Sequence, residues 1–324
     1  MFSKKNKINS FFDILINRGL IVLITSIVNL LHLNIAKKVF NKKLIIKNVN
    51  EYKMHLLTND KGISRSLILF GRREEDQKYI LSKILKENMN IFDIGANIGY
   101  YTILFLNKIK SGNILAIEPS KDNLKLCKDN VKLNNLVTRK IRFINGGVSN
   151  QNSRKRFLLS KQSNLHTFNS EGSAKRFLSG KSSIVETFTV QKLSKLYFKP
   201  HLIRMDVEGH ECEIISGMLS FIKKGLLKPH ICFEPHITSY SKNNNFSKIL
   251  TQLFKLGYFT NLISSNADSG TQRIYNQTGK KPLKILKSDG EKRAIFSDIS
   301  SKDTIFILTK LGGARTVLLS PKNK

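Results

Sequence analysis

The chain has 324 residues, 40% of them hydrophobic, which is enough apolar material for a sizeable core and excludes a disordered class. Its formal charge of +32 is extreme, yet 42 of the 55 basic residues are Lys and only 13 are Arg, with no run of five or more Lys. Phosphate and guanine recognition favours the planar Arg fork. Asn is also abundant, at 30 residues. A solvated surface is therefore the first reading of the charge, an anionic membrane or glycan the second, and nucleic acid the third.

The N-terminal residues 1–40 form an apolar, helix-like segment. "LIVLITSIVNLLHL", Leu20 to Leu33, follows Lys4, Lys5 and Lys7. It is short of the roughly 20 residues of a membrane span, and no small-residue cleavage site follows it. A helix packed on the domain is expected first, and a helix lying at a membrane surface second. Residues 41–88 read as a lead-in. "KLIIKNVNEYKMHLL" and "SRSLILF" suggest strands, and "EEDQKYILSKILKEN" has apolar residues at helical spacing.

From 89 to 264 a strand–helix rhythm sets in. The expected strands are "NIFDI", "NILAIEP", "KIRFINGGV", "HLIRMDV" and "PHICFE". Helical patterns follow most of them, namely "YYTILFLNKI", "KDNLKLCKDNVKLNN", "ECEIISGMLSFIKKG" and "FSKILTQLFKLGY". The long stretch between Ser149 and Pro200 holds a hairpin around "KRFLLS" and "VETFTV". Residues 265–324 add two C-terminal strands, "DTIFILTK" and "GARTVLLSP". The alternation predicts an α/β fold with a doubly wound parallel sheet, and ligands in such sheets bind beyond the carboxyl ends of the strands. Cys127, Cys212 and Cys232 fit neither a zinc site nor a redox pair. They read as buried thiols of a reducing, cytoplasmic compartment.

The turn after the first core strand runs Asp93-Ile-Gly95-Ala96-Asn97-Ile-Gly99. It is not a Walker loop, and it lacks the middle glycine that lets a pyrophosphate approach. An acid two residues before the first glycine would repel a pyrophosphate and suit a ligand carrying an amino group. Glu118 ends the next strand, where a carboxylate can accept both hydroxyls of a ribose. A cationic amino acid joined to adenosine satisfies both, and S-adenosylmethionine is such a molecule. NAD would keep the ribose partner but is poorly served by the turn.

With "FDIGANIGYYT", "AIEPS", "RMDVEGHECEIISGM", "FEPH", "LGYF" and "GGARTVLL", the chain resembles the FkbM family of S-adenosylmethionine-dependent methyltransferases from about Glu74 to Pro321. The resemblance implies the class I, Rossmann-like methyltransferase fold. That fold is a seven-stranded, mostly parallel sheet with flanking helices, here with small β additions, and residues 41–324 form the domain. It also implies that Asp93, Gly95, Ala96, Asn97 and Gly99 line the methionine end of S-adenosyl-L-methionine, that Glu118 holds the ribose, and that Asn145 neighbours the adenine. Two positions depart from the family pattern: Gln191 stands in place of an acid, and Arg204 in place of a Lys.

Methyl transfer to a hydroxyl requires a positioned nucleophile and a base. Asp206 and Glu208 follow the fourth core strand, with Glu211 three residues beyond Glu208; Glu234 and His236 follow the fifth. His236 is the natural base near neutral pH. Metal-free base catalysis is the expectation; a hard divalent cation on the same ligands is the alternative, and helix capping by Asp206 and Glu208 is the structural one. The family prior favours O-methylation of a sugar or glycan, a glycolipid or a secondary metabolite. An RNA methyltransferase and a non-catalytic binding module are the competing readings. "DVEG" where base N-methylation needs Asn-Pro-Pro-aromatic, and the lack of a comparably placed Cys nucleophile, disfavour nucleic acid.

Overall fold

A computed structural model of the chain describes residues 12–138, 140–169, 173–240 and 245–322. Lys4, Lys5 and Lys7 lie outside these residues. In chain order the strands are β1 (Leu44–Val49), β2 (Tyr52–Leu57), β3 (Ile91–Ile94), β4 (Ile114–Glu118), β5 (Ile141–Asn145), β6 (Gly147–Val148) and β7 (Ser153–Ser160). They continue with β8 (Leu178–Phe188), β9 (Leu202–Met205), β10 (His230–Phe233), β11 (Tyr258–Ser265), β12 (Lys284–Ser288), β13 (Glu291–Phe296) and β14 (Ala314–Pro321).

The central sheet has the order β12-β13-β11-β14-β10-β9-β3-β4-β5. From β5 to β10 neighbouring strands are parallel, and β14 enters antiparallel between β10 and β11. This is the class I methyltransferase arrangement, with the strand order reversing between β3 and β9. The expected seven strands are present, but the sheet has nine, because the hairpin β12–β13 extends its edge. That hairpin closes through Asp289 and Gly290, both at positive φ (53° and 91°), the two-residue turn whose twist matches paired strands.

Period-2 alternation sends β3, β9 and β10 side chains to two different cores. Phe92, Ile94, Ile203, Met205, Ile231 and Phe233 face one, with the helices Glu211–Lys223 and Phe246–Lys255. Ile91, Leu202 and Cys232 face the other, with the helices Tyr100–Lys108 and Lys121–Leu133 and the N-terminal residues. Asp93 and Arg204 lie on this second face and are direct register partners across β3 and β9.

Two expected strands are helices. "SRSLILF" forms the helix Ile63–Phe70. The Asp60 carboxylate accepts from Gly62 N (3.0 Å) and Ser64 N (2.9 Å) at its start, and left-handed Gly71 ends it. "DTIFILTK" forms the helix Ser301–Phe306 and a following π turn, because Ser300 Oγ caps Asp303 N at 3.0 Å. The expected hairpin of the long connection is present as β7–β8, joined by β6 into a separate three-stranded sheet. The lead-in hairpin is β1–β2.

The edge hairpin is fastened by a buried acid. Asp76, fully buried, accepts from Ser264 Oγ, Ser288 Oγ and Arg293 Nη1, joining the helix Glu75–Ser82 to β11, β12 and β13. Asp76→Ala should destabilise the protein by about 3 kcal/mol, the low end for breaking a buried pair, since Asp289 remains beside Arg293. Urea denaturation measures this, and a change below about 1 kcal/mol would make the pairing incidental.

Candidate functional site

Past the carboxyl ends of β3, β4, β9 and β10, at the strand-order reversal, lie two adjoining cavities that share Gly95, Asn97, Asn164 and Asp206. The larger, about 330 Å³, is lined by Gly95, Ala96, Asn97, Asp206, Glu208, Glu234 and His236, together with residues of the lead-in segment. The smaller, about 50 Å³, is lined by Glu118, Asn123, Gly146, Gly147, His166 and Phe168, among others.

The turn after β3 is set by backbone geometry. Gly95, Asn97 and Gly99 all take positive φ, and the Gly95 and Ala96 amides both donate to Ile117 O. A Cβ on Gly95 would stand 2.2 Å from Asp206 O, so this position admits only glycine. Gly99 packs its backbone on Cys127, where a Cβ would stand 2.9 Å from the sulfur. It therefore shapes the turn without lining either cavity.

Glu118 is the anchor of the smaller cavity. Its Oε2 accepts from Asn97 N and its Oε1 from Ser120 N, each at 2.9 Å. Burial raises its carboxyl pKa to about 7, against these two backbone bonds. With the Asn123 side chain bonded to it as well, the carboxylate still has room for a further donor, as a ribose hydroxyl would supply. The Asn97 side-chain oxygen, in the wall both cavities share, is buried without a partner. The aromatic walls Phe157, His166 and Phe168 suit a flat heterocycle, and burial lowers the His166 pKa, so that ring is neutral. An adenosine joined to an amino acid fits this donor set.

Asp93 and Asn145 are not in either lining. Asp93 is fully buried, its oxygens taken by Thr102 Oγ1 (2.7 Å) and Arg204 Nη1 (3.4 Å). Burial raises its pKa, opposed by Arg204. It reaches the site only through Arg204. Asn145 turns its amide back on the backbone, donating to Glu118 O and Pro119 O, and Gly146 and Gly147 stand at the cavity instead.

The polar residues of the larger cavity form one charged cluster. His236 Nδ1 lies 2.8 Å from Oε1 of the fully buried Glu211, which leaves Nε2 facing Glu208 (3.4 Å) and Glu234 (4.0 Å). Burial disfavours the imidazolium, but Glu211, Glu208 and Glu234 outweigh it and raise the His236 pKa well above 6.5. The ring is thus protonated at neutral pH, where a base would have to be neutral. Arginines hold the other acids: Arg204 Nη2 lies 3.1 Å from Asp206, Arg315 bonds Glu234, and Arg73 bonds Glu74. Glu208 has no arginine partner among the described residues, and burial raises its pKa, opposed chiefly by His236. Its backbone is itself unusual, with φ at 49° followed by Gly209 at 100°.

Asp206, Glu234 and His236 also bring ligand atoms within 4.8 Å of one another, a spacing compatible with a metal ion. The sequence points to these residues but not to their partners. Arg73, Glu74 and Arg315 come from the charged run "GRREED" and from "GGARTVLL", whose charges are visible and whose destination is not. Glu211 is expected as a helical neighbour of Glu208; it is His236 that joins the two.

The family described as the methyltransferase FkbM domain matches residues 93–260, more than half of the chain. The chain belongs to this family, and its methyl donor is S-adenosylmethionine. Hexuronic acid methyltransferase AglP of Haloferax volcanii is 25% identical over 190 residues, covering 57% of this chain and 73% of that protein. The crystal structure of methyltransferase FkbM from Methylobacillus flagellatus KT overlaps at a TM-score of 0.38 with 15% identity, over 58% of this chain and 47% of that one, so this chain spans about half of its length. M. jannaschii TYW2 in complex with AdoMet overlaps at 0.36 with 13% identity, over 87% and 88%. Overlaps this loose assign no residue a role.

Glu118→Ala should weaken S-adenosylmethionine binding at least about tenfold in calorimetry, as expected for losing a charged acceptor. Because the Glu118 pKa is raised to about 7 and the carboxylate is the better acceptor, wild-type affinity should climb as pH rises through neutrality. Unchanged affinity in the variant, or a flat pH dependence in the wild type, would remove Glu118 from the donor site.

Proposed function

We propose that the protein is an O-methyltransferase acting on a hydroxyl of a sugar or glycan, an acidic sugar foremost, with Glu208 as the base. The observation that carries this reading is the pair Glu208 and His236, the latter backed by buried Glu211, in a cavity that adjoins the Glu118 pocket. S-adenosylmethionine supplies an electrophilic methyl group when bound. Gly95, Asn97 and Glu118 bind and orient it, with Glu118 on the ribose. Asp206, held by Arg204, shapes the wall between donor and acceptor.

Glu208 receives the acceptor's hydroxyl proton. Among the acids of the larger cavity it is the one balanced by an imidazolium and not by an arginine, so it has the strongest claim on a proton. His236, oriented by Glu211, keeps its own proton and steadies the carboxylate beside it. Asp206 and Glu234 are already paired with Arg204 and Arg315, so neither needs a divalent ion and the reaction proceeds without one.

Two features support an acidic sugar. One is the similarity to a hexuronic acid methyltransferase. The other is Arg176, exposed at the larger cavity and without an acidic partner among the described residues, where an acceptor carboxylate would complete a bidentate pair.

Activity should show an acidic limb well above the ordinary carboxylate range of about 4.3, because ionised Glu208 is the working form and its pKa is raised. Glu208→Gln should remove that limb and cost about 10²- to 10⁴-fold in kcat. His236→Asn should move the limb to still higher pH, since the imidazolium lowers the Glu208 pKa. A limb unaffected by either change would transfer the base role elsewhere. Chelators should leave the rate unchanged, and activity lost with EDTA and restored by a divalent salt would give Asp206, Glu234 and His236 a metal. Labelled-donor assays against glycans, glycolipids and RNA test the acceptor, with Arg176→Ala expected to raise KM for uronic acids selectively.

A further inference from the structure

The N-terminal helix Leu20–Lys38 is apolar on its outward side as well as on the side that packs Leu33 and Ala36 against the domain. Its domain-facing side carries Ser26, which is buried, and Asn29, which donates to Leu69 O (3.1 Å) and accepts from Lys47 Nζ (2.6 Å). Its outward side carries Ile21, Ile24, Val28, Leu31 and Ile35, alternately three and four residues apart and 50–78% exposed. A helix facing water carries polar and charged residues on that side. The apolar surface continues onto β1, where Leu44 and Ile46 are exposed on the same side. An open groove of about 850 Å³ runs between the strand and the helix. A contiguous face of this kind marks an interaction site.

Charge identifies the partner. Lys37, Lys38, Lys42 and Lys43 are all exposed at the end of the stripe, and residues 14 to 50 contain no Asp or Glu. We propose that this face docks on an anionic lipid bilayer, with the helix lying along the surface, the isoleucine stripe at the acyl boundary and the lysines among the headgroups. The helix is apolar and long enough to cross a membrane. Yet Leu33 and Ala36 are buried against the domain and Asn29 is bonded to Leu69, which fixes it along the protein surface. A second copy of the chain is the competing occupant: it would bury the stripe but would give the lysines no anionic partner.

Flotation of the full chain with phosphatidylcholine–phosphatidylglycerol vesicles and with pure phosphatidylcholine vesicles tests this. Binding to the mixed vesicles should be at least about tenfold stronger. The double variant Ile24→Glu/Leu31→Glu should lose at least about tenfold of it while keeping the wild-type melting temperature and donor affinity. A second variant, with Lys37, Lys38, Lys42 and Lys43 all changed to Gln, leaves the stripe intact and should lose the preference for the anionic lipid. No binding to mixed vesicles overturns the proposal, as does undiminished binding by both variants. A dimer seen by light scattering and dissolved by the glutamate variant would overturn it in favour of a second copy. None of these outcomes depends on the acceptor of the methyl group.

Discussion

A single buried guanidinium connects most of this site. Arg204 sits on β9 in register with Asp93 on β3, at the place where the strand order reverses. It bonds Asp93, the Gly95 carbonyl and Asp206, lies within reach of Gln77, and stacks its charge over Tyr101 at 4.3 Å. Burial penalises the cation, and Asp206 and Asp93 more than offset this, so its pKa is raised. Buried pairs contribute little net stability over a well-packed apolar core. What Arg204 supplies is position: the turn after β3, the acid between the cavities and the floor of the sheet are held by one rigid fork. Asp93 follows from this. Its carboxylate stands beneath the cavity and keeps Arg204 charged and aimed.

The distribution of arginines then decides where a proton can go. Four acids face the larger cavity, and Arg73, Arg204 and Arg315 take up three of them, Glu74, Asp206 and Glu234. Burial works to raise Glu74, but Arg73, Arg315 and Arg204 overcome it and hold its pKa near about 2. Glu208 is left with an imidazolium. A histidine and a glutamate in such contact titrate as a pair. The FEPH histidine, read in isolation, has the reference pKa of a base near pH 7. Surrounded by Glu211, Glu208 and Glu234 it holds its proton instead.

What was legible in the sequence follows the range of the interactions involved. Gly95, Asn97 and Gly99 declare a tight turn, and Glu118 a strand-end acid, because these signals lie within a few residues of one another. The alternation of β3, β4, β9 and β10 with helices is equally local and suffices for the fold class. The hairpin β12–β13 also carries a local signal, Asp289-Gly290, which a reading tuned to strand–helix rhythm passes over. "SRSLILF" misleads because its apolar residues suit either period, and the decision falls to Asp60 and Gly71 outside it. Asn145 misleads for a related reason: a polar residue at a strand end can equally well close onto the backbone. The ion pairs Arg315–Glu234 and Arg73–Glu74 and the bond between His236 and Glu211 are beyond local reading. Each depends on which strand ends the topology makes neighbours, or on the lead-in segment folding back over the site.

That last contact gives the lead-in segment two roles. Asn50, at the turn between β1 and β2, donates to Tyr100 Oη, and Tyr100 in turn donates to Arg73 O. Tyr100, Arg73, Glu74 and Ile63 all line the larger cavity. The outer surface of the same segment carries the exposed apolar stripe and its lysines. Helix, hairpin and cavity wall are joined by Asn29–Leu69, Asn50–Tyr100 and the buried contacts of Val49, Met54 and Leu67, which belong to one continuous core with Tyr100 and Tyr101. Whatever the outer face rests on is therefore rigidly related to the larger cavity. Removing the segment would expose the second core and open the larger cavity in the same step.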